Sequence, residues 1–105
     1  MGKEKYLEEI NEFVSRLSED FKVNNIIFFG SRAIGGAKQD SDIDLIIVSE
    51  DFEGMGFFER VSRMYDYWTL DMPVDFLCYT TKEFERLRKR ISIVKDALEN
   101  GIVVK

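Results

Sequence analysis

The sequence predicts an α+β fold, with two layers in which helices pack on one face of a small mixed β-sheet. Three observations support this prediction. An amphipathic helical stripe opens the chain, short β-prone runs follow it, and helical segments separate the later runs. The length of 105 residues suits one domain with a thin core. We therefore expect residues 1–105 to form a single domain.

The first half of the chain supplies one helix and two strands. The run VNNIIFF (23–29) predicts a strand that ends at Gly30, and residues 31–41 form a glycine-containing connection. IDLIIV (43–48) predicts a second strand, and its unbroken apolar run indicates burial on both faces. Before them, residues 3–20 carry apolar side chains at spacings of three and four, which predicts a core-facing helix: Tyr6, Leu7, Ile10, Phe13, Val14 and Leu17.

The second half continues the alternation of helix and strand. Residues 49–56 carry acids and two glycines and predict a loop, and 57–70 predict a helix that Pro73 ends. VDFLCY (74–79) predicts the third strand.

A capping signal predicts where the next helix begins. Residues 82–99 are predicted to be helical with a break near Ile91, Gly101 closes this region, and the IVV that follows adds a short edge strand. The capping box pairs a threonine with a glutamate a few residues later: Thr80 or Thr81, with Glu83 or Glu85.

Composition excludes several classes of chemistry. The chain has no histidine, so histidine-based catalysis and histidine-ligated zinc are excluded, and oxygen ligands favour Mg²⁺ or Mn²⁺. The net charge of −5 argues against a protein that coats nucleic acid. Cys78 is the only cysteine, so no intrachain disulfide forms. No apolar run is long enough for a membrane span, and we expect a cytoplasmic location.

Three aspartates predict a metal site. Asp42 and Asp44 are two residues apart at the start of a strand, so their side chains point to one face. A divalent cation would relieve their repulsion. Asp75 opens the third strand, and the three carboxylates converge if the second and third strands are adjacent. Such a set can hold two Mg²⁺ ions for phosphoryl or nucleotidyl transfer.

Gly30 and Ser31 predict a phosphate site beside these acids. Glycine after a strand permits close approach of a ligand to the backbone. Ser31 can cap a short helix that begins near Arg32, and N–H groups at a helix start attract phosphate. Arg32 and Lys38 are the nearest cations.

Other interpretations of the aspartates fit less well. An EF-hand loop beginning at Asp40 would place Leu45 where glycine is needed and Asp51 where glutamate is needed. A haloacid-dehalogenase D-x-D follows its apolar strand, whereas here the apolar run comes after the aspartates. An acidic turn that leads into a strand would explain SDID alone, but not its combination with Gly30 and Asp75.

The stretch GSRAIGGAKQDSDIDL (30–45) resembles the signature of the minimal nucleotidyltransferases, within the DNA polymerase beta-type superfamily. The resemblance implies a nucleotidyltransferase catalytic core that transfers a nucleoside monophosphate, first of all AMP from ATP, and releases pyrophosphate. It implies that Gly30 and Ser31 hold the nucleotide phosphates. Arg32 is the cation expected to compensate for Ile34, which stands where many relatives carry arginine.

The resemblance also implies the roles of the acids. Asp42 and Asp44 would bind both metal ions, and Asp75 would complete the second metal site and help activate the acceptor hydroxyl. It further implies a partner, a small helical HEPN protein in a toxin–antitoxin pair, in which AMP goes to a tyrosine in some cases. A nucleic acid acceptor stays open. Two other functions stay open as well: a non-catalytic nucleotide- or partner-binding module of the same fold, and a regulatory nucleotide sensor.

Three further groups of residues have simpler interpretations. Cys78 is predicted to be a packed core residue. The basic run of Arg86, Arg88, Lys89 and Arg90 is predicted to be a solvated helix face; the alternative is a patch that contacts triphosphate, RNA or a partner. The aromatic residues of the segment 57–70 are predicted to lie mainly in the core, with the surplus forming a patch for a homodimer or partner contact: Phe57, Phe58, Tyr65, Tyr67 and Trp68.

Overall fold

The structure is a computed structural model that describes residues 3–30, 43–90 and 92–105. No helix in these ranges combines the length and apolar character needed to cross a membrane. The described elements, in chain order, are α1 (Lys3–Ser18), β1 (Val23–Phe29), β2 (Ile43–Ser49), a 3₁₀ turn (Glu50–Phe52), α2 (Phe57–Tyr65), β3 (Val74–Tyr79), α3 (Thr81–Leu87), α4 (Ile93–Asn100) and β4 (Ile102–Val103).

The four described strands form one mixed sheet in the order β3-β2-β1-β4. β1 pairs antiparallel with β2 and with β4, whereas β2 and β3 are parallel. A parallel pair needs a crossover connection, and the chain between β2 and β3 supplies it with α2. The predicted α+β class and mixed sheet are confirmed, and so is the edge strand near the C-terminus.

The helices cover both faces of the sheet rather than mainly one. Alternate side chains of β2 join two separate cores: Leu45 and Ile47 lie in the core with α1 and α2, while Ile46 and Val48 lie in the core with α3 and α4. Because both sets are apolar and buried, β2 needs cover on both sides. The burial of β2 on both faces, predicted from its unbroken apolar run, is confirmed.

One predicted helix is shorter than its apolar pattern suggested, and another divides at its predicted break. α2 ends at Tyr65 instead of continuing to residue 70, and Trp68 lies beyond it, where the indole N–H donates to the Met72 carbonyl at 3.0 Å. The break predicted near Ile91 is confirmed, because α3 ends at Leu87 and Ser92 caps the start of α4 at Ile93. The Ser92 hydroxyl accepts from the Lys95 amide at 3.2 Å and donates to the Leu87 carbonyl at 2.8 Å.

Thr80 caps α3 through a capping box with Glu83. The Thr80 hydroxyl accepts from the Glu83 amide at 3.2 Å, and the Glu83 carboxylate accepts from the Thr80 amide at 2.8 Å. The sequence left Thr80 or Thr81 open as the cap, with Glu83 or Glu85 as its partner. The structure forms the capping box with Thr80 and Glu83.

Arg60 of α2 connects the edge strand β3 to α3. Its guanidinium donates to the carbonyls of Met55 at 3.0 Å and Cys78 at 3.2 Å, and it pairs with the Glu83 carboxylate at 2.6 Å. The Arg60 side chain is only 11% exposed, so solvent screens this ion pair weakly. Hydrogen bonding from Arg60, opposed in part by burial, holds the pKa of Glu83 below its ordinary value of 4.5.

Glu83→Gln tests the contribution of this ion pair. Glutamine keeps the shape and can still accept from the Thr80 amide, but it leaves Arg60 without a counter-charge. We expect a loss of about 1–2 kcal/mol at pH 7, measured by urea unfolding with the fluorescence of Trp68. The pKa of Glu83 is lowered on folding, so the unfolded wild type takes up the proton first as the pH falls below 4.5. The wild type should therefore lose this contribution in that range, and the variant should not.

Glu85→Gln is the matched control. Glu85 pairs with Arg88 on the surface, where their side chains are 56% and 47% exposed, and such pairs contribute less than about 1 kcal/mol. The interpretation of Arg60 as a link between elements is wrong if Glu83→Gln is as stable as Glu85→Gln at pH 7.

Candidate active site

Two of the three predicted carboxylates lie side by side at one end of the sheet. β2 and β3 run parallel with Asp44 and Asp75 as register partners. Paired residues on adjacent strands point to the same face of a sheet. Asp44 is partly buried and Asp75 is exposed, so the carboxylates lie at the boundary between the protein and the solvent.

Gly30 lies directly against the carboxylate of Asp44. It follows Phe29, the last residue of β1, which is itself the register partner of Asp44. Gly30 has a φ of +86°, a conformation that favours glycine, and a Cβ placed there would collide with the Asp44 carboxylate. Both the backbone conformation and the lack of space therefore require glycine at this position.

The other predicted site residues lie outside the described residues. Asp42, Ser31 and Arg32 all fall within 31–42, as does Ile34. Within the described ranges, no group of three or more Asp, Glu, Cys or His residues could hold a metal ion. The structure thus brings Asp44, Asp75 and Gly30 together. The pair of in-register carboxylates supplies the oxygen donors that Mg²⁺ and Mn²⁺ take.

A wide cleft opens beside the two carboxylates. Its volume is about 480 Å³, and Asp44 and Asp75 line it together with apolar side chains, among them Phe57, Phe58 and Tyr65. These three aromatic residues are 54%, 86% and 48% exposed. No lysine or arginine lines the cleft among the described residues. We call this hollow the carboxylate cleft.

A second hollow opens on the other side of the same site. It measures about 300 Å³ and lies between the end of β1 and the C-terminal part of α4. Phe29 and Gly30 form one wall, and α4 forms the other. We call it the α4 pocket. Phe29 lines both hollows, so the carboxylates and the α4 pocket are neighbours.

The aromatic residues of the segment 57–70 divide between core and surface. Tyr67 and Trp68 pack against the core, whereas Phe57, Phe58 and Tyr65 are exposed at the carboxylate cleft. The sequence did not predict which of them would be exposed. One signal was present: consecutive residues of a helix point in different directions, so Phe57 and Phe58 cannot both face the same core.

A buried cysteine, an exposed basic run and Arg60 lie outside the two hollows. Cys78 is fully buried, and burial raises the pKa of its thiol to about 12, so the prediction of a packed core residue is confirmed. The basic run is exposed at Arg86, Arg88, Lys89 and Arg90, as a solvated face would be. Sequence reasoning missed Arg60, because its partners are 5, 18 and 23 residues away and no local pattern identifies them.

Known proteins share both the sequence pattern and the fold. The nucleotidyltransferase domain family matches residues 7–104. A protein of Methanocaldococcus jannaschii with the provisional name of protein adenylyltransferase is 40% identical over 81 residues, which cover 72% of this chain and 92% of that protein. A crystal structure at 1.40 Å of a provisionally described nucleotidyltransferase from Sulfolobus solfataricus matches with a TM-score of 0.65 and 26% identity. That match covers 80% of this chain and 75% of that chain.

The family match begins before β1 and ends after β4, so it includes the whole sheet and both carboxylates. The resemblance seen in the stretch 30–45 is therefore confirmed over nearly the full chain: this protein belongs to the nucleotidyltransferase domain family.

Proposed function

We propose that this protein transfers a nucleoside monophosphate, with AMP from ATP as the first candidate, to a hydroxyl group of an acceptor protein. The observation that carries the proposal is the register pairing of Asp44 with Asp75, with Gly30 against the Asp44 carboxylate. Side-by-side carboxylates repel each other, and a divalent cation bound between them relieves this repulsion. A neighbouring glycine leaves room for phosphate oxygens close to the backbone.

The proposed roles combine the positions of the described residues with what the family resemblance implies. Gly30, with Ser31 and Arg32, would bind the triphosphate at the end of β1. Asp75 is the more exposed carboxylate and lines the carboxylate cleft, so it is placed to accept the proton of an incoming hydroxyl. Magnesium held by Asp42, Asp44 and Asp75 would stabilise the negative charge that develops on the phosphate oxygens.

Two observations favour a protein acceptor. The M. jannaschii relative carries the provisional name of a protein adenylyltransferase. The carboxylate cleft offers exposed aromatic side chains and, among the described residues, no lysine or arginine. Nucleic acids are bound largely through their phosphates by such cations, whereas aromatic side chains are enriched where proteins bind each other.

The proposed partner is a small helical protein that presents a tyrosine hydroxyl, in a toxin–antitoxin pair. Phe58, 86% exposed beside Asp75, is an apolar anchor for such a partner. The same exposed patch also supports the alternative of a non-catalytic binding module. That module would need the patch but not the carboxylates, so variants of the carboxylates separate the two functions.

Asp44→Asn and Asp75→Asn test the metal–triphosphate site. We expect each to weaken magnesium-dependent binding of ATP by about a hundredfold, or ~2.7 kcal/mol, because an amide cannot replace a carboxylate beside the cation. Isothermal titration calorimetry with each of the four nucleoside triphosphates, with and without Mg²⁺, measures this. For Asp75→Asn the unfolding free energy should not fall, since this substitution removes repulsion between like charges.

Asp71→Asn is the control, because Asp71 is exposed in the connection before β3 and does not line the carboxylate cleft. It should bind ATP like the wild type. Wild-type protein that binds no nucleoside triphosphate in the presence of Mg²⁺, or aspartate variants that bind as tightly as the wild type, would contradict the enzyme proposal and favour the binding module.

Gly30→Ala tests the contact between the backbone and the Asp44 carboxylate. Alanine at φ +86° adds backbone strain, and its Cβ displaces the carboxylate. We expect a loss of stability of about 1–3 kcal/mol and loss of magnesium-dependent ATP binding. Thermal unfolding and calorimetry measure the two effects.

Gly54→Ala separates these effects. Gly54 has a nearly identical φ of +84°, but a Cβ there meets no atom within 4 Å. Gly54→Ala should therefore add the same backbone strain as Gly30→Ala and leave ATP binding unchanged. If both alanine variants bind ATP equally well, the space beside Asp44 is not part of the site.

A further inference from the structure

We propose that the α4 pocket binds the nucleoside part of the triphosphate, with Asn100 selecting the base and Asp96 binding a ribose hydroxyl. The inference rests on the proposed function, because it extends the same ligand beyond its phosphates. The specificity residues lie on α4, an element that follows the three predicted acids in sequence.

The position of the pocket points to the nucleoside. Gly30 lies against the Asp44 carboxylate and also lines the α4 pocket, so phosphates bound at Gly30 have this hollow on one side. The volume of about 300 Å³ is at the lower end of the range for small-molecule pockets. Phe29 contributes a partly buried ring between the two hollows, and an aromatic ring is a suitable surface for a base.

The hydrogen bonds of Asn100 determine which of its atoms can contact a ligand. Its amide nitrogen donates to the Asp96 backbone carbonyl at 3.3 Å and to the Asp96 carboxylate at 2.9 Å. Both partners are acceptors, so the nitrogen must face them, and the side-chain oxygen is the atom left to accept. An acceptor at this point favours a base with an exocyclic amino group, such as the 6-amino group of adenine.

The Asp96 carboxylate can accept hydrogen bonds from ribose hydroxyls. It accepts one hydrogen bond from Asn100 and retains further lone pairs for donors. Ribose hydroxyls are such donors, and carboxylates bind them in other nucleotide sites. The same negative charge repels phosphates, so the triphosphate is directed toward Gly30 and the metal while the nucleoside occupies the α4 pocket.

The floor of the pocket depends on Gly101. A Cβ at this residue would come within 2.5 Å of the Ala97 carbonyl oxygen and 2.9 Å of the Phe28 carbonyl oxygen. Glycine therefore lets the end of α4 lie close against β1, which keeps Asp96 and Asn100 beside Phe29 and Gly30. The alternative role of Asp96 and Asn100 is a local contact between side chains one helical turn apart. Ligand binding by variants of Asn100 distinguishes the two roles.

The experiment compares three ligands, each with Mg²⁺: ATP, inosine triphosphate and inorganic tripolyphosphate. Inosine replaces the 6-amino donor with a carbonyl, and tripolyphosphate has no nucleoside. We expect the wild type to bind ATP about tenfold more tightly than inosine triphosphate, the value of one hydrogen bond. Asn100→Ala should remove this preference by weakening ATP binding about tenfold, with tripolyphosphate binding unchanged.

Glu99→Ala is the control variant, because Glu99 is exposed at the same end of α4 and does not line the α4 pocket. It should bind all three ligands like the wild type. Equal binding of ATP and inosine triphosphate by the wild type, or unchanged ATP binding by Asn100→Ala, would overturn the inference and leave the proposed function intact. If the wild type binds neither ATP nor tripolyphosphate, the proposed function fails and the inference fails with it.

Discussion

The parallel pairing of β2 with β3 is the constraint on which the candidate site depends. The register makes Asp44 the partner of Asp75, and a shift of one residue would turn one of them to the opposite face. Such a shift would also exchange the side chains of β2 between the two cores, with Leu45 leaving one and Ile46 the other. Packing of the apolar side chains of β2 thus holds two like charges side by side despite their repulsion.

The two carboxylates lie at the end of the sheet, where water reaches them. Asp44 is partly buried and Asp75 exposed, so neither loses all of its hydration. Next to Asp44, the chain needs glycine both for its backbone conformation and for lack of space. The carboxylates and Gly30 lie between the carboxylate cleft and the α4 pocket. These are the three surfaces to which we assign the phosphates, the acceptor and the nucleoside.

α2 protects the edge of the sheet and also shapes the cleft. Arg60 donates to the Cys78 carbonyl, and the Tyr65 hydroxyl donates to the Val74 carbonyl at 2.6 Å. These bonds occupy backbone acceptors of β3 that would otherwise invite pairing with another strand. The same helix leaves Phe57 and Phe58 exposed at the cleft. One element therefore discourages non-specific strand pairing and leaves an apolar surface exposed at the carboxylate cleft, where we propose that a partner binds.

The sequence by itself determined the order and type of the elements, because apolar periodicity, Pro73 and the Thr80–Glu83 capping box are local signals. It also indicated which acids are candidates for the site, since their spacing after Gly30 carries the family resemblance. Tertiary structure alone decided that the helices cover both faces, that Asp44 pairs with Asp75, and that α4 lies beside Gly30. Those facts depend on strand order, register and packing between residues far apart in the chain, which no local pattern encodes.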